Sequence, residues 1–219
     1  MSVIKMNRKL ILILFLIPLL SNAQVVSDAK LWVGVSVNKK IKDFEFSFTE
    51  EFRMDENVSH IDKVFSELGA EYKLVKGFYV SVNYRFNRDN DYETSNYDLR
   101  HRIDLGLTYK LKFDKFRLSY RTKIQTKNSV GNANSPTYSR NKLMVKYKLG
   151  KAITPFISYE FYYQFNDQNI INRTRLSLGG KYAINDKSGV KLFYMYENKF
   201  NVKNLKHNHV YGVSYSIDL

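Results

Sequence analysis

The residues of this chain whose types could do chemistry are few, and most stand alone. Two of the four histidines, His207 and His209, fall on one side of a late "HNH" segment that reads as a loop. A zinc site needs three or four ligands, and no third Asp, Glu or Cys stands near them. His101 falls on an apolar face with no serine placed beside it, so it lacks the partners of a hydrolytic base. Asp89 and Asp91 are acids near one rim, as an aspartic-type protease would need, but their segment reads as a solvated loop. No Gly-rich phosphate loop, GxSxG or HExxH occurs. The chain is therefore expected to be no enzyme and to carry no metal or cofactor.

What remains is charge in pairs. If each hairpin is folded about its short turn, Glu67 meets Arg85, Asp104 meets Lys123, Lys142 meets Glu160 and Arg175 meets Glu197. Directly opposed charges stabilise a sheet by about 0.2–1 kcal/mol per pair, and by more where solvation is poor. Two arrangements fit. One is a belt of ion pairs across a narrow interior, plugging it or leaving a gated path; the other is a wet inner wall whose charges face water. A second group, Arg85, Arg100, Arg102, Arg117 and Arg121, falls on three consecutive strands and outnumbers the acids there. These arginines either bind anions and anionic head groups or simply balance Glu51, Glu67, Glu71 and Asp104.

The elements that must position these charges are strands. In "FRLSYRTKIQ" the set Phe116, Leu118, Tyr120, Thr122, Ile124 alternates with Arg117, Ser119, Arg121, Lys123, Gln125. Period-two alternation puts the two sets on opposite faces of a β-strand. Self-comparison extends the pattern along the chain. "AEYKLVKGF", "LTYKLKFDKF", "VKYKLGKAITPF" and "GKYAINDKSGV" are copies of one motif, with tyrosines at 72, 109, 147 and 182. "VSVNKKIKDF" is a degenerate first copy, and "VSYSIDL", with Tyr215, is a truncated last one.

Each unit is an alternating strand, a short polar turn, a second alternating strand and a longer loop. Strands of roughly ten residues or more match the ~9–11 tilted residues that cross a bilayer, whereas sandwich strands usually run about five or six. Short turns at one end and long loops at the other are the pattern of a transmembrane barrel. Tyr72, Tyr109, Tyr147, Tyr182 and Tyr215 would then form an aromatic girdle at one interface. The expected fold is all-β: a membrane-spanning, antiparallel up-and-down β-barrel of about 10–12 strands, with short periplasmic turns and longer extracellular loops. The repeat itself counts to an odd number, while single-chain bacterial barrels are even. Either residues near Val25–Lys30 supply a short extra strand, or the weak first copy does not complete the wall.

The first residues fix the expected compartment. Lys5, Arg8 and Lys9 precede an apolar run from Leu10 to Leu20, and Ser21-Asn22-Ala23 supplies a cleavage site. Residues 1–23 read as a cleaved signal peptide and 24–219 as the barrel domain. Losing those three cations leaves 32 Lys+Arg against 21 Asp+Glu, a net charge of +11. An exported basic chain meets membrane phosphates before nucleic acid, so no nucleic-acid partner is expected. The absence of Cys rules out disulfides and lipid anchoring at the cut site.

The whole mature chain resembles a family of Gram-negative outer-membrane barrel proteins known only as a domain of unknown function. The resemblance is carried by "LWVGVSV", "SELGAEYKL", "NYRFNR", "YDLRHRIDLGLTYKLK", "RNKLMVKYKL", "TPFISYEFYYQ" and "FNVKN", with "LRHR" the most distinctive piece. It implies a β-barrel in the cell outer membrane and carries no catalytic residues. The functional expectation is a narrow passive or gated channel for small solutes, anions among them. The alternatives are a structural or interaction barrel that binds lipopolysaccharide or a partner through its loops, and, third, a lipid-modifying enzyme. Expected partners are outer-membrane lipid, lipopolysaccharide and the barrel-assembly machinery; the oligomeric state is left open.

Overall fold

The computed structural model describes residues 26–91, 96–129, 136–165, 169–201 and 205–219, so the segment expected to be a signal peptide lies outside the described residues. Alternation resolves into eleven strands: β1 (Val26–Ile41), β2 (Phe44–Asp55), β3 (His60–Val75), β4 (Phe78–Asp91), β5 (Asn96–Phe113), β6 (Phe116–Ser129), β7 (Thr137–Tyr147), β8 (Ile153–Gln164), β9 (Ile170–Ala183), β10 (Ser188–Lys199) and β11 (Lys206–Asp218). They close into one barrel in which sequence neighbours pair antiparallel. The odd count has a simple geometric outcome. A ring built only of antiparallel pairs needs an even number of strands, so β1 and β11 meet in parallel, from Val26↔Lys206 to Asn38↔Asp218. Residues 26–30 supply no separate strand; they lengthen β1.

The hairpins turn tightly at one end. Lys42, Gly77 and Asp114 take positive φ there (56°, 88° and 48°), as two-residue hairpin turns require. At Gly77 a Cβ would stand 3.0 Å from the Tyr109 ring and 3.1 Å from the Lys110 carbonyl, so both backbone and space call for glycine. At the other end the strands run further than alternation suggested. β4 extends to Asp91 and β5 begins at Asn96, while His207 and His209 lie within β11 and not in a loop.

Burial is inverted relative to a soluble domain. Leu105 is 59% exposed and Leu192 57%, both on the outer wall, while Asp104 is 0% and Glu160 4% exposed, both inside. The buried apolar residues, Phe65, Tyr162, Met195 and Val210, also point into the lumen. An outer wall of this apolar character suits lipid, and a closed ring leaves no sheet edge to satisfy. Tyr72, Tyr109, Tyr147, Tyr182 and Tyr215 all fall on the outer wall towards the short turns. Three meet a phenylalanine across the strand: Phe44–Tyr72 and Phe78–Tyr109 at 4.6 Å, and Phe116–Tyr147 at 5.0 Å. Inside, Phe193 lies across Gly212, where any Cβ would enter its ring, and Trp32 meets Phe193 edge-on at 6.4 Å.

Candidate functional site

The inward residues of all eleven strands meet in the lumen, and their register sets which charges face each other. Glu67 is directly across from Arg85 and Glu197 from Arg175, each in an ion pair, while Lys142 is directly across from Glu160 without one, that carboxylate being taken by Arg140 and Arg121. The fourth expected pair needs correction. Asp104 lies across from Gln125, and Lys123 lies across from Gly106. The β5–β6 turn is centred on Asp114–Lys115, one residue later than a fold about Phe113–Asp114, and that shifts the pairing by two residues. Lys123 still lies diagonally 3.9 Å from the Asp104 carboxylate.

The strand register also sets cations against cations: Arg85 faces Arg102, Arg121 faces Lys142, and Lys123 faces Arg140. Like charges directly opposed are destabilising. Here an acid from a strand further round reaches over and clamps them. Glu67 on β3 accepts from Arg85 Nε at 2.7 Å and from Arg102 Nη2 on β5 at 2.9 Å. Arg102 also donates to Asp104 at 2.9 Å. Glu160 on β8 accepts from Arg140 at 3.0 Å and from Arg121 on β6 at 3.1 Å, with Arg175 Nη1 3.7 Å away on the other side. Glu197 holds Arg175 at 2.6 Å and accepts from Asn208 Nδ2 at 2.7 Å. Rings complete the belt. The Arg85 guanidinium lies 3.4 Å over Phe65, and Trp32 is flanked by Arg53 at 3.6 Å and Arg175 at 5.5 Å.

The arginine wall is therefore largely engaged. Arg85, Arg102 and Arg121 are held by Glu67 and Glu160, and Arg100 donates to Asp98 at 2.9 Å. Arg117 alone of the five has no ion pair among the described residues. It belongs to a different group near the short turns, with Lys146, Lys181 and Lys191. Sequence reasoning missed these three lysines as a set, although their alternation already placed each one inward. It also misplaced Asp89 in a solvated loop. Asp89 is buried within β4, 3.3 Å from Lys63 and 3.7 Å from Arg100.

Two of the four histidines pair with tyrosine hydroxyls on the outer wall. His101 Nδ1 pairs with the Tyr84 hydroxyl at 2.7 Å, and His209 Nδ1 pairs with the Tyr194 hydroxyl at 2.7 Å, all on the outer wall. Among the described residues no three His, Cys, Asp or Glu side chains gather as a metal site.

A cavity of about 1540 Å³ runs inside the ring. Its lining reaches from Asp55, Asn57 and Lys206 at the long-loop end to Arg117, Thr154 and Lys181 at the short-turn end. Seventeen Lys and Arg line it against seven Asp and Glu.

Fold and lumen together define a membrane-type β-barrel with an apolar coat and a charged, cation-rich interior. The chain belongs to the family described as a protein of unknown function (DUF2490), whose sequence model matches residues 29–208. No curated protein sequence matches it. Among solved structures it is similar to the outer-membrane protein OmpT of Vibrio cholerae, with 13% identity and a TM-score of 0.44 over 80% of this chain and 59% of that one. It is similar to an anion-selective porin from Comamonas acidovorans at 13% identity and a TM-score of 0.39, over 79% of this chain and 52% of the porin. The β domain of the Bordetella autotransporter BrkA gives 9% identity and a TM-score of 0.44, over 78% of this chain and 82% of that domain. The chain thus spans little more than half the length of the first two.

Proposed function

We propose that this protein, exported by its signal peptide, is an outer-membrane channel that passes small solutes through a narrow lumen and favours anions. The observation that carries the reading is the cavity lined from the long-loop end to the short-turn end by seventeen cations against seven acids, with Glu67, Asp89 and Asp104 set behind that lining and paired to Arg85, Arg102, Lys63 and Arg100. A wall of one net sign enclosed by a low-dielectric shell focuses its field and raises the local concentration of counter-ions. The belt sets the scale of what passes. Side chains of Arg53, Trp32 and Arg175 extend into the interior from β2, β1 and β9, so large solutes are refused. No catalytic step belongs to this reading. The apolar coat and tyrosine girdle fit lipid and lipopolysaccharide as surroundings, with insertion by the barrel-assembly machinery.

The test is single-channel conductance of the refolded chain in a planar bilayer under a salt gradient. Steady small conductance with a reversal potential on the anion side is the expected result. A folded barrel that stays silent overturns the channel and favours the second reading, an interaction barrel whose loops bind lipopolysaccharide or a partner. The observation on that side is the belt itself, in which Arg121, Arg140 and Arg175 converge on the single carboxylate of Glu160.

A further inference from the structure

We propose that the short-turn mouth of the lumen is a binding site for a doubly charged oxyanion of the phosphate class, held by Arg117, Lys146, Lys181 and Lys191. The inference deepens the channel reading in one respect, since it takes the lumen to be water-filled. It does not need the lumen to conduct.

Three like-charge contacts are built into the sheet here. Arg117 lies directly across from Lys112 on one side and Lys146 on the other, and Lys181 directly across from Lys191. Such pairs repel; in the belt Glu67 spans Arg85 and Arg102, and here, among the described residues, no acid does so. The charged neighbours that act on Lys146 are Lys191, Arg117, Lys110 and Lys181, all cations. Lys191 has one acidic neighbour, Glu51, and Arg53 already holds that carboxylate at 2.6 Å. None of the four cations has an ion pair among the described residues.

The surroundings suit an oxyanion. All four side chains line the cavity, and Arg117, Lys146 and Lys181 are exposed to it. Phe156, across from Lys146, lies between the Arg117–Lys146 and Lys181–Lys191 pairs as an apolar floor. Thr154 is across from Lys181 and Ser214 across from Lys191, so hydroxyl donors stand beside the cations. A halide can answer one of these charges at a time. A tetrahedral dianion offers four oxygens and can bridge both pairs at once, with lysines as point-charge donors and arginine as a fork.

Titration of the refolded full chain in zwitterionic detergent with inorganic phosphate, against a chloride background, tests the site. Saturable binding is expected, weakened about tenfold by Lys146→Gln or by Lys191→Gln, since each removes a charge-assisted hydrogen bond. Lys76→Gln, in the exposed β3–β4 turn, should leave it unchanged. All three changes lie outside the ion-pair belt, and heat-shifted gel mobility checks that each variant is folded. Absence of saturable binding, binding indifferent to both lumen variants, or equal affinity for chloride overturns the proposal. The two readings separate cleanly. A barrel that binds phosphate but passes no current keeps the site and removes the channel; an anion-selective current with no phosphate site does the reverse.

Discussion

The belt and the short-turn mouth are built from the same residue types on the same strands, yet they solve like-charge repulsion differently. In the belt, Arg85 and Arg102 face each other and Glu67 closes over both. At the mouth, Lys181 and Lys191 face each other with no acid above them. One region is neutralised from within the chain. The other depends on what dissolves in the lumen. The lesson is that strand register alone does not say whether a cation is structural or functional; the acid that answers it sits on a strand further round.

The comparison can be broken first at Glu160. Removing it by Glu160→Gln leaves Arg121, Arg140 and Arg175 converging on an uncharged group, and breaking a buried ion pair costs about 3–5 kcal/mol. A lower denaturant midpoint in urea, followed by gel mobility, measures it; an unchanged midpoint would refute the belt as a structural device. The next effect is at Glu67 and Arg85. Glu67→Arg should cost about 2 kcal/mol, the scale of a charged hydrogen bond, and adding Arg85→Glu should restore most of it. In the double variant the acid sits between two cations, one at 67 and one at Arg102, so a clamp is rebuilt one strand over. A double-mutant cycle with no coupling would mean the register is misread.

Gly212→Ala sharpens the contrast between packing and charge. A methyl there enters the Phe193 ring, and such overpacking costs about 1–3 kcal/mol by the same urea assay. The smallest effect is expected at the mouth. Lys191→Gln should leave stability unchanged or raise it by about 0.2–1 kcal/mol, because it relieves a repulsion. The same variant should shift the reversal potential of a conducting barrel towards cations. A clear loss of stability would mean Lys191 is part of the structural network after all.

Much of this was legible in the sequence because a strand writes its two faces in alternate letters. The inward set of β6, Arg117, Arg121 and Lys123, is inward in the structure, and the repeat around Tyr72, Tyr109, Tyr147 and Tyr182 marks the short turns. Hairpin pairings such as Glu67–Arg85 follow from a turn centre, so they are local and readable. Asp104 shows how narrow that margin is, since a turn moved by one residue moves its partner by two. The contacts from Glu160 to Arg121 and from Arg175 to Trp32 were not readable. They join strands that do not pair, β8 with β6 and β9 with β1, so no single hairpin contains them. The lysines of the mouth escaped notice for the same reason: a cation without an acid looks ordinary until every acid in the ring has been assigned.

The parallel seam between β1 and β11 has a consequence for how the molecule lies in its surroundings. An even ring begins its first strand and ends its last at one rim, but eleven strands do not. Val26 stands at the long-loop rim, beside Lys206, while Leu219 follows Asp218 at the short-turn rim, beside Asn38. The start of β1 and the end of β11 therefore lie on opposite sides of whatever layer the barrel crosses. A small epitope placed ahead of Val26 and another after Leu219 would give, on intact cells, opposite accessibility to antibody. The protein carries its own compass.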